Sequence, residues 1–252
     1  MQELRGSGAA GEAVADAIEG ALEGERSPEE EPWIDRIEAL RGQLYSSVEA
    51  ITVVDYGAGS PDQERSAEEM YAGQRVERTV GEVAHASKTP RWCLLLLRLV
   101  RRLEPHSCLE MGTCVGISAA YQAAALELNG AGKLLTLEGA PAVAALARQS
   151  LSQLGLQHRA EVREGRFQDV LAEAAHVRAP LDLVFVDGHH DGDATIAYFR
   201  QLQPHLAPGA VIVFDDIAWS QGMRLAWERI AGQEIVSLAA DLGEVGLVRT
   251  GG

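Results

Sequence analysis

The ten residues Leu109-Glu110-Met111-Gly112-Thr113-Cys114-Val115-Gly116-Ile117-Ser118 decide the fold. A short, mostly apolar run ends in two glycines spaced four residues apart, and an apolar segment follows at once. This order is typical of a strand, a ligand-binding turn and a helix that packs on a sheet. Glu138 ends a second apolar run, 26 residues after Gly112, where an acid in such folds pairs with ribose hydroxyls.

A second glycine-rich stretch, Asp55-Tyr-Gly57-Ala-Gly59-Ser60, is the weaker candidate for this turn. It continues into the polar residues 61–65 rather than into a helix with an apolar face, and no second strand follows at the usual distance. Two interpretations stay open for it, a structured loop near the entrance for a second substrate or a simple turn.

From residue 107 onward, short apolar runs alternate with amphipathic segments. Strands are predicted at Ser107–Met111, Lys133–Leu137, Ala160–Arg163, Leu181–Val186, Ala210–Phe214, Glu234–Ala239 and Val245–Arg249, and helices at 117–129, 140–154, 167–176, 192–206 and 219–232. The alternation predicts a doubly wound α/β domain over 107–252 with five parallel strands. Only Ala240–Glu244 separate the last two strands, so these form an antiparallel hairpin and complete a seven-stranded sheet.

The first 106 residues have a different character. Residues 1–31 hold nine acids, two arginines and no aromatic residue, which predicts a flexible acidic tail with at most a transient helix around 12–24. Residues 32–106 are predicted to form a helical N-terminal region. Its helices are expected to begin at Pro32, to cover the polar segment 62–84, and to run from Thr89-Pro90 to Leu103.

Charge and composition limit the classes of function. The chain has 22 Lys and Arg against 37 Asp and Glu, a net charge of −15, which argues against binding nucleic acid through its phosphates. Three cysteines without a CxxC spacing predict neither a disulfide framework nor a zinc site. The start does not resemble a signal peptide, and the longest apolar run, Cys93–Leu97, is too short to span a bilayer. A cytoplasmic protein without nucleic-acid or membrane partners is expected, and a homodimer is left open.

The glycine spacing narrows the choice of ligand. The turn at Gly112 and Gly116 lacks the third glycine of the dinucleotide fingerprint, and so lacks its tight pyrophosphate cradle. Glu110, just before the turn, would repel a pyrophosphate but attract an ammonium group. S-adenosylmethionine, with adenosine at one end and an ammonium at the other, meets both conditions.

From about residue 85 to 249 the chain resembles class I S-adenosylmethionine-dependent methyltransferases, and most of all the small-molecule O-methyltransferases of the catechol and macrocin types. The resemblance implies that Glu110 and the glycine backbone hold the methionine moiety, with Ser118 facing its carboxylate. It also implies that Glu138 binds the ribose and that 165–169 flank the adenine. The expected cofactor-binding residues are Glu110, Gly112, Thr113, Gly116, Ser118, Glu138, Gly165, Arg166, Phe167 and Asp187.

Acidic residues follow the fourth and fifth predicted strands. Asp187 ends one strand, and Asp215 and Asp216 end the next, so all three are expected at the carboxyl edge of the sheet. Three carboxylates without a Lys or Arg would repel one another, and a hard cation such as Mg²⁺ would relieve that repulsion. Helix capping and loop hydrogen bonds are the alternative role. The resembled metal-dependent enzymes have metal ligands at matching positions, which implies a magnesium site formed by Asp187, Asp215 and Asp216.

His189 and His190 follow Asp187 closely and are the candidates for a general base. A metal lowers the pKa of a bound hydroxyl, and a nearby base completes the removal of its proton. The resembled catechol enzymes have Lys at the position of His190, and the macrocin type has Asp at that of His189, so the identity of the base stays open. Each histidine could instead cap a helix or pack beside the adenine. The catalytic candidates are therefore Asp187, His189 and His190.

Together these features predict the O-methylation of a hydroxylated small molecule, assisted by a divalent metal. Two alternatives stay open: a non-catalytic module that binds S-adenosylmethionine without transferring its methyl group, and a metal-dependent hydrolase that uses His189, His190 and Asp191. Trp219 is expected either to form a wall of the acceptor pocket or to be a core or interface aromatic residue. Lys88, which precedes the last N-terminal helix, is assigned no role.

Overall fold

The computed structural model describes residues 2–6, 8–57 and 65–251. Its strands are β1 (Ala50–Asp55), β2 (Gln74–Thr79), β3 (Ser107–Met111), β4 (Lys133–Glu138), β5 (Ala160–Glu164), β6 (Leu181–Val186), β7 (Leu206–Phe214), β8 (Val236–Asp241) and β9 (Gly246–Thr250). Its helices are α1 (Gln2–Gly6), α2 (Ala9–Glu23), α3 (Glu31–Tyr45), α4 (Ala67–Ala72), α5 (Val80–Ala84), α6 (Pro90–Leu103), α7 (Ile117–Asn129), α8 (Pro141–Leu154), α9 (Phe167–Arg178), α10 (Gly192–Leu202) and α11 (Gln221–Ala231). A 3₁₀ turn, Gln203–His205, follows α10.

The main sheet has seven strands in the order β5-β4-β3-β6-β7-β9-β8. Strands β3 to β7 pair in parallel with one another, and β9 pairs antiparallel with both β7 and β8. The chain first builds outward from β3 to β5 and then crosses to β6 on the other side. The topological switch point therefore lies between β3 and β6, where doubly wound sheets bind their ligands. The predicted fold class and terminal hairpin are confirmed.

Alternation along the central strands sends apolar side chains to both faces of the sheet, where helices cover them. Cys108 of β3 joins a core with α2, α3, α6, α7 and α8 on one face. Leu109 and Met111 of the same strand join a second core with α9, α10 and α11 on the other face. The parallel strands are thus buried on both sides, which fixes their carboxyl ends at one edge.

The segment between α3 and α6 differs from the prediction. Strands β1 and β2 form an antiparallel hairpin, with Ala50 opposite Thr79 and Asp55 opposite Gln74, where one polar helix was expected over 62–84. Only α4 and α5 are helical in the described part of that range, and each begins at a capping box, formed by Ser66 and Thr79 respectively. Residues 58–64, which include part of the glycine-rich stretch at 55–60, lie outside the described residues.

The acidic N-terminal segment also differs from the expected flexible tail. Helix α2 buries Val14, Ile18 and Ala21 on one face, and this face joins the core that α6 and α7 share. Small and apolar residues at helical spacing bury enough surface here to order a segment of high negative charge. None of the described helices is long and apolar enough to cross a membrane.

Candidate cofactor-binding and active site

Strands β3 and β6 bring two predicted site residues together at the switch point. The backbone N–H of Asp187 donates to the carbonyl of Met111 (2.9 Å), and that of Gly112 donates to Leu137 (3.0 Å). Gly112 has φ of +98°, a conformation that favours glycine. The turn therefore bends away from the sheet directly beside the first residue after β6.

A cleft with a volume of about 580 Å³ lies along this edge. Its floor includes Gly112, Glu138 and Asp187, and its roof is the β1–β2 hairpin, from which Val53 and Tyr56 contribute. A Cβ at Gly139 would lie 2.9 Å from the ring of Tyr56, so the hairpin lies directly over the end of β4. Ligand pockets are commonly a few hundred Å³ in volume, so the cleft is large enough for a nucleoside-sized ligand.

Glu138 is held in place at the end of β4 by backbone amides. Its Oε2 accepts from the N–H of Cys114 (2.9 Å) and its Oε1 from the N–H of Ala140 (2.9 Å). Burial raises the pKa of Glu138 to about 7, although these amides oppose the shift. A carboxylate with a fixed orientation in the cleft is suited to accept hydrogen bonds from a ribose.

Glu110 lies in a closed network rather than in the cleft. Gln122 donates to one carboxylate oxygen (2.9 Å), and the hydroxyl of Thr136 donates to the other (2.6 Å). Burial raises the pKa of Glu110 to about 8, against the hydrogen bonds from Thr136 and Ser118. Thr113, also fully buried, contacts the hydroxyl of Thr136. Glu110, Thr113 and Ser118 thus support the turn from within, and their contact with the cofactor stays a prediction.

Some of the other expected cofactor residues line the cleft, and others lie behind its surface. Arg166 and Phe167 line the cleft, whereas Gly116 is the N-cap of α7 and Gly165 packs against Val170. The guanidinium of Arg166 lies 3.7 Å from the ring centroid of Tyr71 and also bonds to its hydroxyl (2.9 Å). Arg166 therefore ties the cleft to the hairpin region instead of pointing freely into the cavity.

The acids after β6 and β7 meet a lysine that the sequence analysis left without a role. The Nζ of Lys88 contacts Oδ2 of Asp215, lies 3.6 Å from Oδ1 of Asp216, and lies 2.9 Å from Oε1 of Glu244. Burial works to lower the pKa of Lys88, but Asp215 and Asp187 outweigh it and the pKa is raised. The premise that no Lys or Arg lies near these carboxylates is wrong, because residues far apart in the sequence converge here.

The two histidines have separate environments. His190 Nε2 lies 3.4 Å from Asp187 Oδ1 and 3.4 Å from Asp216 Oδ2. Burial works to lower the pKa of His190, but these carboxylates outweigh it and raise it. His189 instead bonds to the hydroxyl of Tyr198 through Nδ1, and burial lowers its pKa. Of the two, His190 is the one that contacts the acids at the strand ends.

Consecutive residues after β6 do not act as one ligand set. Asp191 caps α10 by accepting from the N–H of Ala194 (2.8 Å), while His189 and His190 turn to different partners. The set required for the hydrolase alternative is therefore not assembled. Left-handed backbone conformations hold this turn: φ is +65° at His189 and +50° at His190, and it is +51° at Asp216. Non-glycine residues in this region of φ concentrate at functional sites.

The predicted metal trio does not come together as one donor set. Within the described part of the chain, ligand atoms within 4.8 Å of one another form two overlapping groups, Asp187–His190–Asp215 and Asp215–Asp216–Glu244. Lys88 already contacts all three acids of the second group. In the described structure, Oδ1 of Asp215 is buried and accepts no hydrogen bond. With the ammonium of Lys88 among its oxygens, the second group does not fit a divalent cation, whereas a metal at the first group stays a prediction; we derive no chemical step through a metal.

Trp219 lies beside the candidate base, with its ring centroid 5.5 Å from that of His190 and its surface 38% exposed. It is therefore not a core aromatic residue, and its part in an acceptor pocket or in an interface stays a prediction. Lys88 and Glu244 were not predicted to belong to the site, whereas Tyr56 lies in the glycine-rich stretch for which a loop near the entrance was one interpretation. Lys88 immediately precedes the proline that begins α6, but nothing in the local sequence signals its distant partners.

Comparison with known proteins agrees with this fold and site. Residues 109–217 match the family model of a methyltransferase domain. A catechol O-methyltransferase of Niastella koreensis is 32% identical over 132 residues, which cover 52% of this chain and 58% of that protein. The O-methyltransferase TomG of Streptomyces achromogenes, solved with S-adenosylmethionine, is 27% identical with a TM-score of 0.56, covering 66% of this chain and 82% of TomG. An O-methyltransferase of Bacillus cereus, solved with S-adenosylhomocysteine, is 25% identical with a TM-score of 0.57, covering 68% and 85%.

Over residues 109–217 the chain is similar to methyltransferase domains. Within that class, the proteins it resembles are O-methyltransferases. The matched region spans a little over half the length of the catechol O-methyltransferase from Niastella koreensis.

Proposed function

We propose that the protein transfers a methyl group from S-adenosylmethionine to a hydroxyl oxygen of a small molecule. The observation that carries the proposal is the cleft at the switch point, where Glu138 faces the cavity and His190 lies beside the acids that follow β6 and β7. The similarity to O-methyltransferases supports the same reaction.

The chemistry divides between the cofactor and the side chains of this protein. When bound, S-adenosylmethionine supplies a methyl group on a cationic sulfur; the acceptor oxygen bonds to the methyl carbon as the carbon–sulfur bond breaks and leaves its electron pair on sulfur. His190 accepts the proton of the hydroxyl, and Asp187 and Asp216 stabilise the imidazolium that results. Glu138 orients the ribose, and the β1–β2 hairpin excludes water from the cleft.

The roles of the individual residues form part of the proposal. Gly112, Glu138, Arg166, Phe167 and Asp187 border the cleft and are proposed to contact the cofactor. Magnesium assistance is left out of the proposal, because Lys88 already contacts the acids after β7. A cytoplasmic location and a homodimer stay predictions.

Calorimetry with S-adenosylhomocysteine tests the central claim. Wild type is expected to bind one equivalent, and Glu138→Ala is expected to bind about 10–100-fold more weakly, because hydrogen bonds to a charged group contribute about 1.5–3 kcal/mol. Glu164→Ala is the matched control, since Glu164 pairs with Glu138 across β4 and β5 but does not line the cleft. A folded wild type that does not bind would refute the proposal.

A second assay separates the enzyme from the non-catalytic module. Transfer of the methyl group from labelled S-adenosylmethionine is measured across a panel of phenols and other hydroxylated metabolites. Product formation is expected for at least one of them. Tight binding of S-adenosylhomocysteine with no transfer to any acceptor would favour the non-catalytic module.

A further inference from the structure

Lys88 reaches the carboxyl edge of the sheet from a part of the chain outside the α/β domain. It lies in the short connection between α5 and α6, and its side chain is only 9% exposed. Asp215, which it contacts directly, is 1% exposed at the side chain. A buried ammonium requires such partners, because an unpaired charge in the interior is very costly.

Hydrogen bonds also hold the backbone of Lys88 in place. Its carbonyl accepts a hydrogen bond from a buried guanidinium, that of Arg41 in α3 (2.8 Å), and another from the thiol of Cys93 in α6 (3.3 Å). Two helices therefore set the position from which the side chain extends. A long surface lysine that happened to fall on an acid would lack this support.

Three carboxylates from two distant segments meet this one ammonium. Asp215 and Asp216 follow β7, and Glu244 lies in the connection between β8 and β9. Apart from His190, Lys88 is the basic residue within ion-pair distance of these acids in the described chain. The divalent cation expected from the sequence would lie close by, among Asp187, Asp215 and Asp216, and the last two of these contact Lys88.

We propose that the ammonium of Lys88 takes the place of a divalent metal between Asp215, Asp216 and Glu244, so that the protein binds Mg²⁺ or Mn²⁺ weakly and transfers methyl groups without added metal. The part of the inference that concerns methyl transfer without added metal rests on the proposed function. The part that concerns weak binding of Mg²⁺ or Mn²⁺ does not. A cation that bound the same oxygens would lie next to the ammonium, and the two positive charges would repel each other. Lys88 acts on the reaction through Asp216, which contacts His190, and is a positioning residue.

Binding of Mn²⁺ to the full-length chain, after treatment with a chelator, tests the proposal without any acceptor. Titration is followed by calorimetry and by the electron paramagnetic resonance of free Mn²⁺. Wild type is expected to bind with a dissociation constant on the order of a millimolar or weaker. Lys88→Met, which keeps the length of the side chain but removes its charge, is expected to bind at least about tenfold more tightly. A merely structural role for Lys88 would produce no such gain.

The other lysine of the chain supplies the control. Lys133 contacts the carbonyl of His158 at the opposite end of the sheet, so Lys133→Met is expected to bind Mn²⁺ as weakly as wild type. Tight binding of one Mn²⁺ by wild type would overturn the proposal, and this result holds even if Lys88→Met does not fold. Equal affinities of a folded Lys88→Met and wild type would overturn it too.

The outcomes also separate this inference from the proposed function. Wild type that binds S-adenosylhomocysteine and also binds Mn²⁺ tightly refutes the role of Lys88 alone. Wild type that binds neither refutes the methyl transfer while leaving the ion cluster as described. Once an acceptor is known, activity unchanged by a chelator is expected, and its abolition with recovery on added Mg²⁺ would contradict the inference.

Discussion

Gly112 lies directly against the backbone of Asp187. A Cβ placed on Gly112 would come within 1.7 Å of the carbonyl oxygen of Asp187, and φ of Gly112 is +98°. The first residue after β3 and the first after β6 are thus packed main chain to main chain. No other amino acid fits at position 112 without moving one of the two strand ends that form the cleft.

Gly112→Ala is therefore expected to destabilise the protein and to abolish binding of S-adenosylhomocysteine. Gly130→Ala is the matched control, because Gly130 also has positive φ (+73°) but has open space around it. The control is expected to lose only about 1–2 kcal/mol, the cost of a left-handed conformation. Urea unfolding and calorimetry measure both variants. Similar losses in the two would show that the contact with Asp187 does not matter.

His189→Asn and His190→Asn are expected to have different effects. Asn tolerates the left-handed backbone at both positions, so the comparison isolates the side chains. Loss of a general base predicts that His190→Asn lowers the rate of methyl transfer by about 10²–10⁴ while binding of S-adenosylhomocysteine persists. His189→Asn is expected to lose about 1–3 kcal/mol of stability, because the buried hydroxyl of Tyr198 loses its partner. A larger rate loss for His189→Asn would reverse the assignment.

Glu110 is expected to make the free energy of unfolding depend on pH. Burial raises its pKa in the folded state to about 8, from an ordinary value near 4.5 in the unfolded chain. Between these values only the folded state holds the proton, so stability falls as pH rises, by up to about 1.4 kcal/mol per pH unit. Glu110→Gln removes this titration while keeping the shape of the side chain. Urea unfolding between roughly pH 5 and pH 8 should give a flatter profile for the variant, and parallel profiles would argue against a raised pKa.

Ile18 tests whether the acidic N-terminal segment is part of the folded structure. It is 1% exposed in α2, whereas Leu22 of the same helix is 50% exposed. Ile18→Ala is expected to lose about 2–4 kcal/mol of stability, and Leu22→Ala less than about 0.5 kcal/mol. Thermal and urea unfolding provide the measurement. Equal and negligible losses would favour the flexible tail that composition alone suggests.

The α/β domain could be predicted from the sequence because its signals are local. Apolar runs such as Leu181–Val186 and glycine turns such as that at Gly112 are visible within ten residues, and the predicted strands match the observed ones within a few residues. The antiparallel hairpin at the end was forced by the short connection before β9. These elements are determined by periodicity and turn chemistry, which short windows contain.

The remaining features depend on contacts between distant segments. Strand β2 is largely exposed and has Val76 as its one apolar residue, so it shows no alternating pattern. Helix α2 is rich in alanine and glutamate, and its burial follows only from the surface that α6 offers. Lys88 lies 127 residues from Asp215, and no local pattern links them. The expectation that no Lys or Arg lies near Asp187, Asp215 and Asp216 was wrong because Lys88 is so distant from these acids in the sequence.

The ion cluster of Lys88 joins the first half of the chain to its last ten residues through Glu244. A chimaera that exchanged residues 1–106 for those of a related methyltransferase would keep the sheet but replace the donor of the positive charge. The acids after β7 and the segment that neutralises them must therefore be inherited together, and recombination near residue 106 would separate them. The N-terminal region thus completes the electrostatics of the domain that follows it.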